Sequence, residues 1–209
     1  MEVIILAAGK ARRFQSFSEG PKPLFELEGE SLLERSIKEL SSVGIKKVNI
    51  VVGYKKEMIK KKIGNNYYGV EIVYHENPDY EKTGNMHSLF CALGGEPKDC
   101  LVLDADMVYD GEIVSPLLNC PFENALLLNN CSGSGDEVFV VLDKDKRVIH
   151  WGKEFPNILG EKFEHAGLSK YSRDFVKKMF DFHRQTLQNG RLNEDHESCA
   201  WKICITTPL

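Results

Sequence analysis

The chain opens with a short apolar run, Val3-Ile-Ile-Leu6, that breaks into Ala7-Ala8-Gly9, and this junction restricts the possible folds more than any other stretch. Four apolar residues of largely β-branched type read as a strand buried on both faces, as in a parallel sheet. The small residues that follow strip side-chain bulk from the point where the chain leaves the sheet. Backbone N–H groups there can approach an anion closely, and Arg12 and Arg13 come next. That combination at the carboxyl end of a first strand suits a phosphate group. Gly20-Pro-Lys-Pro-Leu24 then sets one lysine between two prolines. Each proline fixes φ and extends its predecessor, so Lys22 is held out rigidly. Taken singly, the same residues also read as a strand, a loop and a basic surface cluster.

The rest of the chain alternates strand and helix patterns, which predicts an α/β fold with a doubly wound, mainly parallel (mixed) sheet. Strands are expected at Val48–Val52, Val70–Tyr74, Cys100–Leu103, Asn124–Asn129 and Val138–Leu142, with Arg147–Trp151 as a hairpin partner. Helical periodicity covers Ser31–Val43, with Ser31 able to cap, then Lys56–Ile63, Gly84–Leu93 and Asp174–Asn189. The 209 residues fit a single domain. A net charge of −4 argues against a general nucleic-acid binder, and no apolar stretch is long enough to span a membrane. The six cysteines show no metal-site spacing, so a reduced, cytoplasmic setting is expected.

Two further stretches carry chemistry. Leu101-Val-Leu-Asp-Ala-Asp-Met107 ends a predicted strand with carboxylates at alternate positions, sending Asp104 and Asp106 to one side. Neighbouring carboxylates repel unless a cation lies between them, and hard oxygen donors suit Mg²⁺. The bland alternative is a turn cap and a solvated acid. Glu81-Lys-Thr-Gly-Asn-Met-His-Ser-Leu89 supplies a glycine and short polar side chains before a helix, which could be simple capping by Thr83 or Asn85. His165 reads as a core histidine and Trp151 as packing.

Leu6-Ala-Ala-Gly9, Arg13 four residues on, and Pro21-Lys-Pro-Leu24 together resemble the signature of nucleotidyltransferases that act on phosphorylated small molecules, sugar 1-phosphates among them. The likeness is nearest to the phosphocholine and related phospho-alcohol cytidylyltransferases. It departs at Ala11, where the family has a second glycine, leaving that position less free to take positive φ. The resemblance implies that Leu6, Ala7, Ala8, Gly9, Lys10, Gly84, Asn85, Ser88 and Asp104 hold the nucleotide, CTP in the first instance. It gives Arg13, Lys22 and Asp106 the catalytic roles, and Asp106 the metal. Lys153, Glu164 and Gly167 fall at acceptor-binding positions.

The carboxyl end departs further. The family's second metal aspartate is replaced by Thr206, and Asp195 is the candidate substitute. The implied reaction is Mg²⁺-dependent coupling of CTP to a small phosphorylated acceptor such as phosphocholine, with pyrophosphate release, for cell-surface polymer synthesis. The alternatives are a sugar-1-phosphate transferase using UTP or dTTP, and a non-catalytic nucleotide-binding domain.

Overall fold

The computed structural model describes residues 1–16, 19–135, 137–154 and 157–206, with the side chains of Gln15 and Thr206 excluded. Strand β1 (Glu2–Ala7) leads through 3₁₀ turns at Arg12–Ser16 and Lys22–Leu24 to a two-stranded ribbon, β2 (Glu26–Leu27) and β3 (Glu30–Ser31). Next come α1 (Leu32–Ser42), β4 (Lys47–Val52), α2 (Lys56–Ile63), β5 (Asn66–Tyr67), β6 (Val70–Glu76) and α3 (Asn85–Ala92). The remainder is β7 (Cys100–Asp104), α4 (Val114–Asn119), β8 (Ala125–Asn129), β9 (Phe139–Leu142), β10 (Val148–Gly152), β11 (Glu161–Tyr171), α5 (Arg173–Gln188) and α6 (His196–Thr206).

Nine strands form one mixed sheet in the order β10-β9-β11-β7-β1-β4-β6-β5, with β8 also paired to β11. The run β7-β1-β4-β6 is parallel throughout. Strand β11 joins it antiparallel, pairing Leu168–Tyr171 with β7 and Glu161–Glu164 with β9. The chain steps outward from β1 to β4 to β6, then returns to the other side of β1 as β7. Such a reversal opens a crevice at the carboxyl ends of β1 and β7, where ligands of doubly wound sheets bind.

Alternation along β1 explains why both faces of the sheet are covered. Val3, Ile5 and Ala7 face α1, α2 and α4 through Leu33, Ile37, Leu40, Ile59 and Leu117. Ile4 and Ala8 face α3, α5 and α6 through Met86, Leu89, Phe180 and Ala200. Burying an apolar side chain of this size contributes roughly 1.5–3 kcal/mol each, so these two layers supply most of the driving force. Helix α1 starts where the sequence marks it. The Ser31 hydroxyl accepts from the Glu34 N–H, and the Glu34 carboxylate accepts from the Ser31 N–H, a reciprocal capping box. No helix among the described residues is long and apolar enough to cross a membrane, and all six cysteines are free thiols.

On the α3/α5 face, His87 Nδ1 and His183 Nε2 share a hydrogen bond of 3.0 Å. One ring must donate and the other accept, which favours two neutral imidazoles. Burial and the neighbouring His87 depress His183 to about 4, against about 6.5 in an unfolded chain. Between those values the unfolded state takes up a proton that the folded state refuses. Stability should therefore fall on acidification from pH 7 to 5, by roughly 1–2 kcal/mol from this histidine alone. Urea unfolding at the two pH values checks this, with His183→Gln expected to lose less stability than the parent.

Candidate active site

The crevice forms because β1 and β7 are paired with Leu6 opposite Asp104. Beyond Leu6 the chain turns sharply. The Ala8 carbonyl accepts from the Tyr54 N–H at 3.0 Å, tying the turn to the end of β4. Gly53 permits this approach, since a Cβ there would lie 2.8 Å from the Ala8 oxygen and from the Tyr80 ring. Ala11 adopts the left-handed conformation, φ 46°, that glycine would take more easily. The departure from the family pattern is thus accommodated in the backbone, at a cost of about 1–2 kcal/mol. The Phe14 N–H donates to the Ala11 carbonyl at 2.8 Å and closes the turn that carries the exposed Arg12 and Arg13.

A cavity of about 140 Å³ lies against this turn. Of the nucleotide-site residues expected from sequence, Leu6, Ala8, Gly9, Gly84, Asn85, Ser88 and Asp104 line it. Asn77, Tyr80 and Thr83 line it too, unforeseen from the sequence. Ala7 does not: its side chain packs in the opposite layer, leaving only its backbone near the turn. Lys10 lies in an adjoining depression of about 350 Å³ with Arg12, Glu81 and Asn193, and its ammonium is 3.8 Å from the Glu81 carboxylate. A larger groove, about 440 Å³, runs past Met1, Asp99 and Lys170 at the amino-terminal ends of β1 and β7. None of the predicted site residues lines it, and its end of the sheet is the wrong one for a doubly wound fold.

Acidic groups crowd the rim. Pro21 is extended, φ −70° and ψ 138°, but Lys22 opens the 3₁₀ turn Lys22–Leu24 and so departs from the extended shape expected before Pro23; its Nζ reaches Asp106 Oδ2 at 2.6 Å. Lys153 Nζ reaches Asp195 Oδ2 at 2.7 Å, and this hydrogen bond raises the lysine's pKa, while the Arg13 charge opposes it. Asp104 is held well above the usual carboxylate range, first by burial and then by the charges of Glu197, Asp106 and Asp195. Its polar atoms, with those of His196 and Glu197, lie within 4.8 Å of one another. Burial pushes Glu197 up, but His196 and backbone donors outweigh it and bring the group below its ordinary value. Electrostatics therefore tie Arg13, Lys22, Lys153, Asp104, Asp106 and Asp195 to a single basin.

Such a set fits a divalent cation by its chemistry. Crowded oxygen donors, one of them destabilised as an anion by its neighbours, match the hard-ligand preference of Mg²⁺. Asp106 and Asp195, the two residues read from sequence as metal ligands, are each held by a lysine, with Asp104 in electrostatic reach of both.

The acceptor-side residues divide. Gly167, φ 67°, presses β11 onto the aspartate pair: a Cβ there would fall 2.2 Å from the Met107 sulfur and 3.0 Å from Asp104 Oδ2. Glu164 accepts from the Ser132 N–H at 2.9 Å. His165 donates or accepts within the core, bonded to Ser169 Oγ at 2.9 Å and held near 4 by burial. Trp151 is buried and in edge contact with His165.

Helix α6 escaped the sequence reading, and with it His196 and Glu197. Its approach segment clasps the turn before α3. The Leu192 carbonyl accepts from the Gly84 N–H and the Glu194 carbonyl from the Met86 N–H, both at 3.1 Å. Asn85 Oδ1 accepts from the His196 N–H at 2.6 Å, and the Tyr171 hydroxyl is 3.0 Å from His196 Nδ1. The Asp195 carbonyl accepts from the Cys199 N–H, so Asp195 stands at the start of the helix. The Thr206 side chain, expected in place of a metal aspartate, lies outside the described residues, as do residues 207–209. Contact with this segment explains Gly84, since a Cβ there would lie 2.1 Å from the Glu194 oxygen. Gly84→Ala should displace the clasp, costing about 1–3 kcal/mol in urea unfolding. Amide exchange at Met86 should accelerate in the same variant, and unchanged protection there would contradict the clasp.

Comparison with known proteins places this geometry. A CMP-5'-(3-aminopropyl)phosphonate synthase from Streptomyces rubellomurinus is 31% identical over 127 residues, 60% of this chain and 20% of that protein. The bifunctional protein GlmU from Methanococcus aeolicus is 28% identical over 206 residues, covering 98% of this chain and 47% of its own length. The chain thus spans less than half of either relative. A 2-aminoethylphosphonate cytidylyltransferase from Lancefieldella rimae is 28% identical over 212 residues, 99% of this chain and 79% of that one. The solved inositol-1-phosphate CTP transferase of T. maritima shares the fold, with a TM-score of 0.77 at 20% identity over 98% of this chain and 81% of that one. Residues 3–179, from the opening strand through most of α5, match the MobA-like NTP transferase domain, and the chain belongs to that family.

Proposed function

We propose that the protein transfers a cytidylyl group from CTP to a small phosphorylated or phosphonate acceptor, phosphocholine-like in size and charge, releasing pyrophosphate. The observation that carries this reading is the convergence of the Gly9 turn and the Asp104–Asp106 rim on one crevice. Relatives named as a CMP-5'-(3-aminopropyl)phosphonate synthase and a 2-aminoethylphosphonate cytidylyltransferase favour CTP and an acceptor whose amine is joined to its phosphorus by a short alkyl chain.

In this reading residues 1–110 hold the nucleotide and residues 111–209 supply the acceptor side. The base enters the cavity between Ala8, Gly84 and Ser88, with the triphosphate along the N–H groups from Gly9 to Arg13. Arg13 and Lys22 neutralise charge on the phosphates, and Lys153 meets the acceptor's phosphorus group from the other bank. Asp106 and Asp195 would hold Mg²⁺, which supplies charge neutralisation at the triphosphate. An acceptor oxygen attacks the α-phosphorus and the bond to the β-phosphate bridging oxygen breaks, so pyrophosphate departs with that electron pair. The attacking oxygen arrives ionised. No general base is therefore required, and the protein's part is positioning and electrostatics.

A pyrophosphate-release assay crossing CTP, UTP and dTTP with phosphocholine, aminoalkylphosphonates and sugar 1-phosphates tests this. CTP with an amine-bearing acceptor should turn over fastest, and silence with every pair would reject the reading. Asp106→Asn should lower turnover by at least about 100-fold. Its melting temperature should barely move, because the Lys22 pair it weakens is solvent-exposed and such pairs contribute about 0–1 kcal/mol.

A further inference from the structure

Three side chains from remote parts of the chain meet with more donor capacity than partners. Asp104 ends β7, whereas His196 and Glu197 open α6. His196 is 2% exposed and Glu197 7%. One ligand atom from each of the three lies within 4.8 Å of the others.

The surrounding hydrogen bonds decide which atoms face the cluster. His196 Nδ1 is engaged by the Tyr171 hydroxyl at 3.0 Å, so Nε2 is the nitrogen left for it. Glu197 Oε1 is 3.5 Å from the His196 ring nitrogen Nε2, too far for a good hydrogen bond. Glu197 itself is held by Asn85 Nδ2 at a long 3.4 Å and by its own backbone. The Asp104 carboxylate accepts no hydrogen bond among the described residues. A proton on His196 Nε2 would serve one carboxylate and leave the other recessed and bare, which is costly. A divalent ion would serve both carboxylates and the ring at once.

The donor set selects the ion. One imidazole nitrogen with two carboxylate oxygens suits a late first-row cation, whereas Mg²⁺ keeps to oxygen. Metal–ligand bonds of about 2.0–2.2 Å put ligand atoms roughly 3–4 Å apart, so a modest contraction closes the set. Tyr171 provides the outer support as well, because a ligating histidine ordinarily gives its other N–H to an oxygen.

We propose that Asp104, His196 and Glu197 bind a divalent cation of the Zn²⁺ class, which pins the start of α6 to the end of β7. The site is separate from the Mg²⁺ set of Asp106 and Asp195, and its detection needs neither nucleotide nor turnover.

Calorimetric titration of the metal-stripped full chain with Zn²⁺ and with Mg²⁺ tests this, alongside Co²⁺ titration followed by visible absorption. The parent should bind Zn²⁺ at least about 100-fold more tightly than Mg²⁺. Its melting temperature should rise with Zn²⁺ concentration, as expected for an ion that binds only the folded chain. Glu197→Gln and His196→Gln should each weaken Zn²⁺ by at least about tenfold. Asp106→Asn should weaken it less than either, which separates this site from the Mg²⁺ set. A parent that takes up no Zn²⁺, or a Glu197→Gln variant that binds it as the parent does, overturns the proposal. So does a sulfur-to-cobalt charge-transfer band, which would move the ion to one of the free cysteines. Should His196→Gln fail to fold by circular dichroism, Glu197→Gln decides.

Discussion

The parallel pairing of β1 with β7 is the constraint on which the rest of the site depends. Its register puts Leu6 beside Asp104, so the residues that follow each strand leave the sheet at the same rim. A one-residue slip would turn Asp104 to the other face, into the layer of Leu103 and Ala105. Burial on both faces forbids that slip, because the apolar side chains of β1 and β7 are matched to separate helical layers. The positions of the glycine turn and the acidic pair thus follow from core packing rather than from any interaction between them.

Given that geometry, the electrostatics follow. Asp104 is recessed against Gly167 and surrounded by Glu197, Asp106 and Asp195, an arrangement that disfavours its own anion. Lys22 and Lys153 offset part of this from opposite banks, each bonded to one of the outer aspartates. In the proposed reaction, groups so arranged would exchange partners when a polyanion and a divalent cation enter together. The helix α6 clasp on Gly84 brings Asn85, which lines the cavity, against His196.

The sequence carried most of the fold because its signals were local. The apolar runs of β1, β4 and β7, and the Ser31/Glu34 box opening α1, each needed only a few adjacent residues to be read. The cavity-lining set was similarly legible from short motifs, except where orientation mattered: Ala7 follows strand alternation away from the cavity, and Lys10 swings to Glu81. What remained hidden was tertiary. Nothing local in Asn77 marks it as the hub of a hydrogen-bond network, since its backbone N–H is held by Val52 and its side-chain partners lie up to eleven residues away. Helix α6 was hidden because its polar first turn and small residues gave no clean period, and its position depends on Gly84 and Asn85, more than a hundred residues earlier.

The most direct test of the account is a crystal structure of the chain soaked with CTP and Mg²⁺. The account predicts the cytosine ring between Ala8, Gly84 and Ser88, the phosphates along Gly9 to Arg13, and the cation on Asp106. Nucleotide density in the groove beside Met1, Asp99 and Lys170, with the crevice between β1 and β7 empty, would contradict it.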